Sequence, residues 1–464
     1  MHPSLIDPLT HPDIVSNIIP YLKNFQKEYR HLAKAARVNK AWNAIYTPIL
    51  WQDVFFDCLD HNDDIRTAPG LDFRRHGVHV RRLEIANLDE SHLHMIAVVP
   101  PPIQQDQEPQ SRSSPCPNLK SLRLTEYKAP VEQLSRFLKS VRPTLQLFSF
   151  ETTTIPAEDI VAALLAMSAD DAAGNGYGSG LGALKTLKLA FDLFFSSERL
   201  SWDLLTRLLE TFSCLETLDV CGLSLHAPPA LITEEEEDDD DEEVEVDEGI
   251  GPALQEINLL QERRYNNITS LSLQYMRMDT RTTLRLLSMT PHLQDLDLES
   301  PSPIMIRNVI GALSTICPHL KRLSATCLYT IPPSNTVQLF QPAITTSIST
   351  TSITDGSCLH LEYLDLDRCH LDNSTLARLI STQADTLLEL TLRACFSYTD
   401  DCVKAILSGC HRLTSLQLLG KSEVTLLRQE GDGSEPYDFL PEVKRKEWPC
   451  PTSLKRLVIR YRDY

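Results

Sequence analysis

The sequence predicts an α/β chain: a small helical N-terminal segment followed by a curved solenoid of repeated strand-plus-helix units. Parallel strands line its concave face and helices its convex face. Three observations predict it. A phrase of the form L-x-x-L-x-L returns along most of the 464 residues, its starts recur at a preferred interval, and stretches of helical spacing follow it.

The clearest copies are Leu119-Leu122-Leu124, Leu184-Leu187-Leu189, Leu293-Leu296-Leu298, Leu361-Leu364-Leu366 and Leu413-Leu416-Leu418. Looser copies begin at Val80, Leu145, Leu215, Ile268, Leu320, Leu387 and Leu454. The twelve starts are separated by 39, 26, 39, 31, 53, 25, 27, 41, 26, 26 and 41 residues, and five of these intervals lie within one residue of 26. A unit of that length fits a leucine-rich repeat, whose period runs from about 20 to 29 residues. In x-L-x-L-x the leucines alternate, so a short strand buries them on one face and presents the intervening residues on the other. Leu376, Leu379 and Ile380 follow one phrase at helical spacing, as do Val403, Ile406 and Leu407 another. One unit cannot bury its own apolar edge, so the units must stack.

Segments 100–117, 169–182, 226–264, 331–357 and 420–451 interrupt the repeats and are expected to be solvated, disordered insertions within a solenoid spanning residues 80–464. Residues 1–60 form the helical N-terminal motif and residues 61–79 a linker. Gly174–Gly180 is glycine-rich but lacks a following Lys-Ser/Thr, so a linker is the expected reading rather than a phosphate loop.

Charge excludes several function classes. The net charge is −19, and Glu234–Glu248 holds 13 carboxylates and no base, which leaves −6 for the remainder. Such a chain repels phosphate backbones, so no nucleic acid is expected as a partner. No run of 18 apolar residues occurs, so no membrane span is expected, and the N-terminus lacks the charge-then-apolar pattern of a secretory signal. The expected location is the cytoplasm, the nucleus or both, with Lys444-Arg445-Lys446 a weak import signal. None of the 12 cysteines forms a C-x-x-C pair and no histidine joins them at zinc-ligand spacing, so neither a metal nor a cofactor is expected. No G-x-S-x-G, H-E-x-x-H or Walker pattern occurs, and no catalytic residue is expected. His292, His319 and His411 lie just before strand leucines, as repeat corners.

The cysteines refine the repeat type. Cys116, Cys317 and Cys410 precede the first leucine of their phrase by three residues, and Cys369 and Cys395 follow the last by three. This resembles the cysteine-containing leucine-rich repeats common in F-box proteins. The N-terminal segment agrees with it. Pro12, Ile14, Val15, Ile18, Ile19 and Leu22 make one helical stripe, Arg37 to Trp42 opens a later helix, and Pro48-Ile49-Leu50-Trp51 closes the segment. Pro12, Ile14, Val15, Ile18, Ala36, Arg37, Val38, Trp42, Pro48, Leu50 and Trp51 match the F-box pattern, with His11 standing where that pattern has leucine. The resemblance implies docking of these residues on the Skp-type linker subunit of a cullin–RING ubiquitin ligase, and a substrate-recognition role for the repeats. Two alternatives stand beside it: a repeat scaffold with no ligase role, whose N-terminal segment is a cap, and a leucine-rich-repeat GTPase activator. The second uses longer repeats and a C-terminal acidic stretch.

The residues alternating with the leucines supply the candidate substrate surface. Asp219, Asp295, Asp297, Glu299, Asp365 and Asp367 make its middle acidic. Arg123 and Lys188 lie before it and Arg393, Arg456 and Arg460 after it, while Arg322 interrupts it. A surface of one sign focuses its field, so the expected partner is a protein substrate bearing Lys or Arg.

Overall fold

The computed structural model describes residues 34, 36–38, 40–57, 76–88, 116–141, 144–169, 183–191, 199–226, 263–300, 309, 312–313, 315–327, 360–368, 383–394, 400–420 and 452–461. Pro12, Ile14, Val15, Ile18, Cys369, Cys395, the acidic run and the stripe at Leu376 to Ile380 lie outside the described residues. The chain divides into two compact units, residues 1–187 and 188–464. The division falls inside a strand, Thr186–Phe191 (β5).

The first unit holds a helix, Lys40–Leu50 (α1), and the strands Asp53–Asp57 (β1), Arg82–Ala86 (β2), Ser121–Thr125 (β3) and Leu147–Thr152 (β4). These pair in sequence order and in parallel, with Val54, Leu83, Leu122 and Phe148 in one register line. Helices Val131–Val141 (α2) and Ala157–Ala169 (α3) follow β3 and β4. Each sends an apolar stripe inward: Leu134, Leu138 and Val141 from α2, and Ile160, Val161 and Leu164 from α3, all at most 1% exposed.

In the second unit, Thr217–Cys221 (β7), Ser270–Gln274 (β9), Asp295–Ser300 (β10), Arg322–Cys327 (β11), Tyr363–Asp367 (β12), Glu389–Arg393 (β13), Ser415–Gly420 (β14) and Arg456–Tyr461 (β15) form a parallel ladder in that order. Arg199–Ser201 (β6) and Ser224–His226 (β8) make a separate two-stranded parallel sheet. Helices Trp202–Thr211 (α4), Thr280–Ser288 (α5) and Asp400–Gly409 (α6) lie between ladder strands in sequence. A parallel sheet with one strand per phrase is the leucine-rich-repeat type of fold. The phrases mark every ladder strand except β1, which contains no leucine.

Three recurrent contacts explain why the phrase yields this ladder. The second and third phrase leucines stack in register: Leu271, Leu296, Leu323 and Leu364 form one line, each at most 1% exposed. At about 1.5–3 kcal/mol for each fully buried leucine, this layer is the main favourable term. The residue before each strand accepts two backbone N–H groups from the next unit. The Gln294 carbonyl takes those of Lys321 and Arg322, both at 2.9 Å, and Lys321 takes those of Glu362 and Tyr363 at 2.8 and 3.0 Å. Finally, the first phrase residue donates its N–H back to a turn carbonyl three positions earlier. Leu119 bonds Cys116 at 3.2 Å, Leu320 bonds Cys317 at 3.1 Å and Leu413 bonds Cys410 at 3.3 Å. The cysteines are therefore corner residues, at most 1% exposed. Burial pushes the thiols of Cys116 and Cys317 up to about 12 and that of Cys410 to about 11, which leaves them unreactive.

Strand exits share a left-handed residue. Asn87, Glu126, Tyr275, Arg368 and Ala394 have φ between 49° and 57°, and Gly222 has φ 78°. There the chain turns off the sheet while its N–H makes one more ladder bond, as from Ala394 to the Leu419 carbonyl at 2.6 Å. An L-residue with a Cβ costs about 1–2 kcal/mol in this conformation, against about 0.5–1 kcal/mol of extra unfolded-state freedom for glycine. Ala394→Gly is expected to stabilise the protein by about 0.5 kcal/mol, seen as a small rise in Tm. A fall in Tm would show that the alanine methyl packs productively.

Candidate partner-binding surface

The ladder register converts the candidate residues into a grid. One outward row of the second unit runs Asp219, Ser272, Asp297, Ser324, Asp365, Thr391, Gln417. The next runs Glu299, Thr326, Asp367, Arg393, Leu419. A third runs Thr217–Ser270 and Ser270–Asp295, then Arg322, Tyr363 and Glu389. In the first two rows carboxylates thus occupy alternate strands, with hydroxyls between them. Neighbouring strands lie about 4.8 Å apart, so carboxylates of one row are separated by about 9.5 Å. All seven candidates sit on the second unit's outward face, because each is the sequence neighbour of a buried strand residue such as Leu218, Leu296, Leu298, Leu364, Leu366 or Leu392.

The charges are unevenly met. Lys188 Nζ lies 2.9 Å from Asp219, and Arg393 Nη2 lies 3.0 Å from Asp365. Arg368 Nε lies 3.9 Å from Asp367. Arg322 pairs with Asp295 at 3.8 Å and stacks over the Tyr363 ring at 4.6 Å. Asp297 accepts a hydrogen bond from Gln274 Nε2 at 2.7 Å, and among the described residues no base forms an ion pair with it. The Tyr275 hydroxyl donates to Glu299.

Burial and mutual repulsion raise the carboxyl pKa values above the ordinary range. Desolvation is the largest cause at Asp295, Glu299, Asp365 and Asp367. Asp297 and Asp367 repel Glu299, which Tyr275 and Arg368 counter; Asp367 and Asp297 repel Asp365, which Arg393 counters. These groups bind protons more readily folded than unfolded. Their contribution therefore favours folding at low pH and is lost as pH rises from near 4 through the raised values. Glu299→Gln keeps an acceptor for Tyr275 and removes two repulsions. Its Tm is expected to exceed that of the wild-type protein by about 1 °C at pH 7, with the difference closing near pH 4. A variant less stable at pH 7 would show the carboxylate to be net favourable.

The hydroxyls and amides were not legible as site residues, because Ser272, Gln274, Ser324, Thr326 and Thr391 carry no charge. Aligning the phrases in register would have placed them between the carboxylates. Tyr275 and Arg368 follow their strands, and only the shared strand-exit turn brings them beside Glu299 and Asp367.

In the first unit the described F-box-like residues meet other parts of the chain. Tyr46, 1% exposed, and Ala36, 6% exposed, form a small core with half-buried Trp42, Ile45, Ile49 and Leu50 packed against it. The rings of Trp42 and Tyr46 are 5.4 Å apart. Pro48 lies in the last turn of α1. Trp51 stacks on His76 at 4.6 Å. Val38, at 60%, is exposed. After Trp51 the chain enters the sheet: the Gln52 carbonyl accepts the N–H groups of Arg81 at 2.9 Å and Arg82 at 3.0 Å, the contact that joins successive repeats.

Among the described residues no cluster of His, Cys, Asp and Glu could hold a metal ion, and no helix is long and apolar enough to cross a membrane. No family model matches the chain, and no curated protein matches it. Among solved structures it is similar to a chain in the crystal structure of the yeast Rad7 and Elc1 complex, at 16% identity and a TM-score of 0.41, over 88% of this chain and 85% of that one.

Proposed function

We propose that this protein is a non-catalytic substrate-recognition adaptor of a cullin–RING ubiquitin ligase, acting in the cytoplasm or nucleus. The N-terminal segment docks on a Skp-type linker subunit, and the repeat sheet holds a basic protein substrate. An adaptor of this kind works by raising the local concentration of substrate near a charged carrier enzyme, which needs no catalytic group of its own.

The observation that carries this reading is the junction at Trp51–Gln52. The residues matching the F-box end, Trp42, Pro48, Leu50 and Trp51, run without a linker into β1, which pairs with β2 over five residues. A docking element welded to the repeat ladder transmits position, as an adaptor requires; a loosely tethered one does not. The scaffold reading, in which α1 is only a cap, accounts for the burial of Leu50 and Trp51 but not for exposed Val38.

The test uses Val38→Glu, because alanine at Leu50 or Trp51 also removes contacts that hold α1. Wild-type protein is expected to co-elute with a purified Skp-type linker, and Val38→Glu to lose co-elution with its Tm unchanged. Failure of the wild-type protein to bind would leave residues 34–52 as a cap and the protein as a scaffold.

A further inference from the structure

The outward row Asp219, Asp297, Asp365 has one carboxylate on every second strand, and two of the three are already met. Lys188 holds Asp219 and Arg393 holds Asp365. The central one, Asp297, has an amide hydrogen bond from Gln274 and no ion pair among the described residues. Its register neighbours are Ser272 on β9 and Ser324 on β11.

A second observation points to a missing donor or acceptor here. Ser272 Oγ is buried and has no hydrogen-bond partner. A buried polar group without a partner costs about 1–3 kcal/mol, so such groups are satisfied when a site is filled.

We infer that the face over β9–β12 receives an arginine side chain from a basic segment of a partner protein, anchored on Asp297 between Glu299 and Asp365. This rests on the reading of that face as the substrate surface and names the side chain it takes. The strand between the acidic walls, β11, carries Ser324 and Thr326 beside these carboxylates, while its third outward residue, Arg322, is held one row away by Asp295 and the Tyr363 ring, so a flat group can lie over the two hydroxyls. A guanidinium donates from two edges of a rigid plane, at about 2.8 Å to each carboxylate oxygen, and can reach Asp297 with one edge and a second wall with the other. The compact ammonium of lysine is a point charge and reaches one wall at a time. Native cations already on the row limit the site to one such group.

The test measures fluorescence anisotropy of labelled hexa-arginine and hexa-lysine peptides with the intact protein at physiological salt. Hexa-arginine is expected to bind about tenfold more tightly than hexa-lysine. Asp297→Asn, which keeps the acceptor for Gln274, is expected to remove that preference. Ser324→Phe, which covers the floor without changing charge, is expected to do the same, and Asp385→Asn, away from this face, is expected to leave it intact. Equal binding of the two peptides, or a preference untouched by both face variants, would overturn the inference. So would a preference that disappears only when residues 234–248 are replaced by glycine and serine, since binding would then belong to the acidic run. Linker binding, measured separately, reports on the ligase reading: its failure leaves an arginine preference standing, and a lost preference leaves the linker result standing.

Discussion

Replacing Asp297 and Asp365 together by lysine is expected to abolish capture of a basic partner, lowering affinity by about 100-fold or more. The two positions face each other across Ser324 in one row, so reversal turns the centre of the acidic face cationic. The effect has two parts. The incoming cation loses its anchor at Asp297, and Arg393, which lies 3.0 Å from Asp365, is released and adds to the repulsion. Like charges brought together at an interface cost several kcal/mol, far more than removal of a rim charge. The measurement is partner affinity against salt. The wild-type interaction weakens as salt rises, because the attraction is screened. Undiminished capture by the double variant would show that the partner binds elsewhere.

The second large effect lies beneath the same face. Leu364 is 0% exposed and stands in register between Leu323 and Leu390. Leu364→Ala is expected to cost about 3 kcal/mol, from lost burial plus the cavity left between two neighbouring units. In a repeat array each unit is stabilised mainly by its neighbours, so the loss falls on β11–β12–β13 rather than uniformly. Leu457→Ala in β15, where the leucine is 5% exposed and β14 is the ladder partner, is expected to cost less. Hydrogen exchange read strand by strand separates the cases. Equal costs at the two positions would contradict the stacked-unit description of the core.

Much of this was legible in the sequence for a simple reason. A strand with period two writes its inward face as leucines, and the stacking of identical units makes the spelling recur. Leu296, Leu323 and Leu364 could therefore be assigned inward, and Asp297 and Asp365 outward, from spacing alone. What spacing does not carry is register between units. That Lys188 reaches Asp219, and that Arg393 reaches back to Asp365, depends on side-chain reach across strands. Nor did spacing mark β1, because the strand Asp53–Asp57 contains no leucine. The strand-exit turn was hidden for another reason: five of its six occupants have a Cβ, so the glycine that usually advertises a positive φ is absent. At the N-terminus the F-box pattern located Val38, Trp42, Pro48, Leu50 and Trp51 but could not divide docking residues from supporting ones. The structure adds that Trp51 stacks on His76 while Val38 is exposed.

An adaptor must hold linker and substrate at the same time, and sedimentation velocity tests that requirement directly. Labelled hexa-arginine peptide is followed in the presence of the intact chain, with and without the Skp-type linker. The expected result is peptide label sedimenting with the chain alone and moving to the faster linker-bound species when linker is added. Label that stays with the linker-free chain, or is displaced by the linker, would contradict the account.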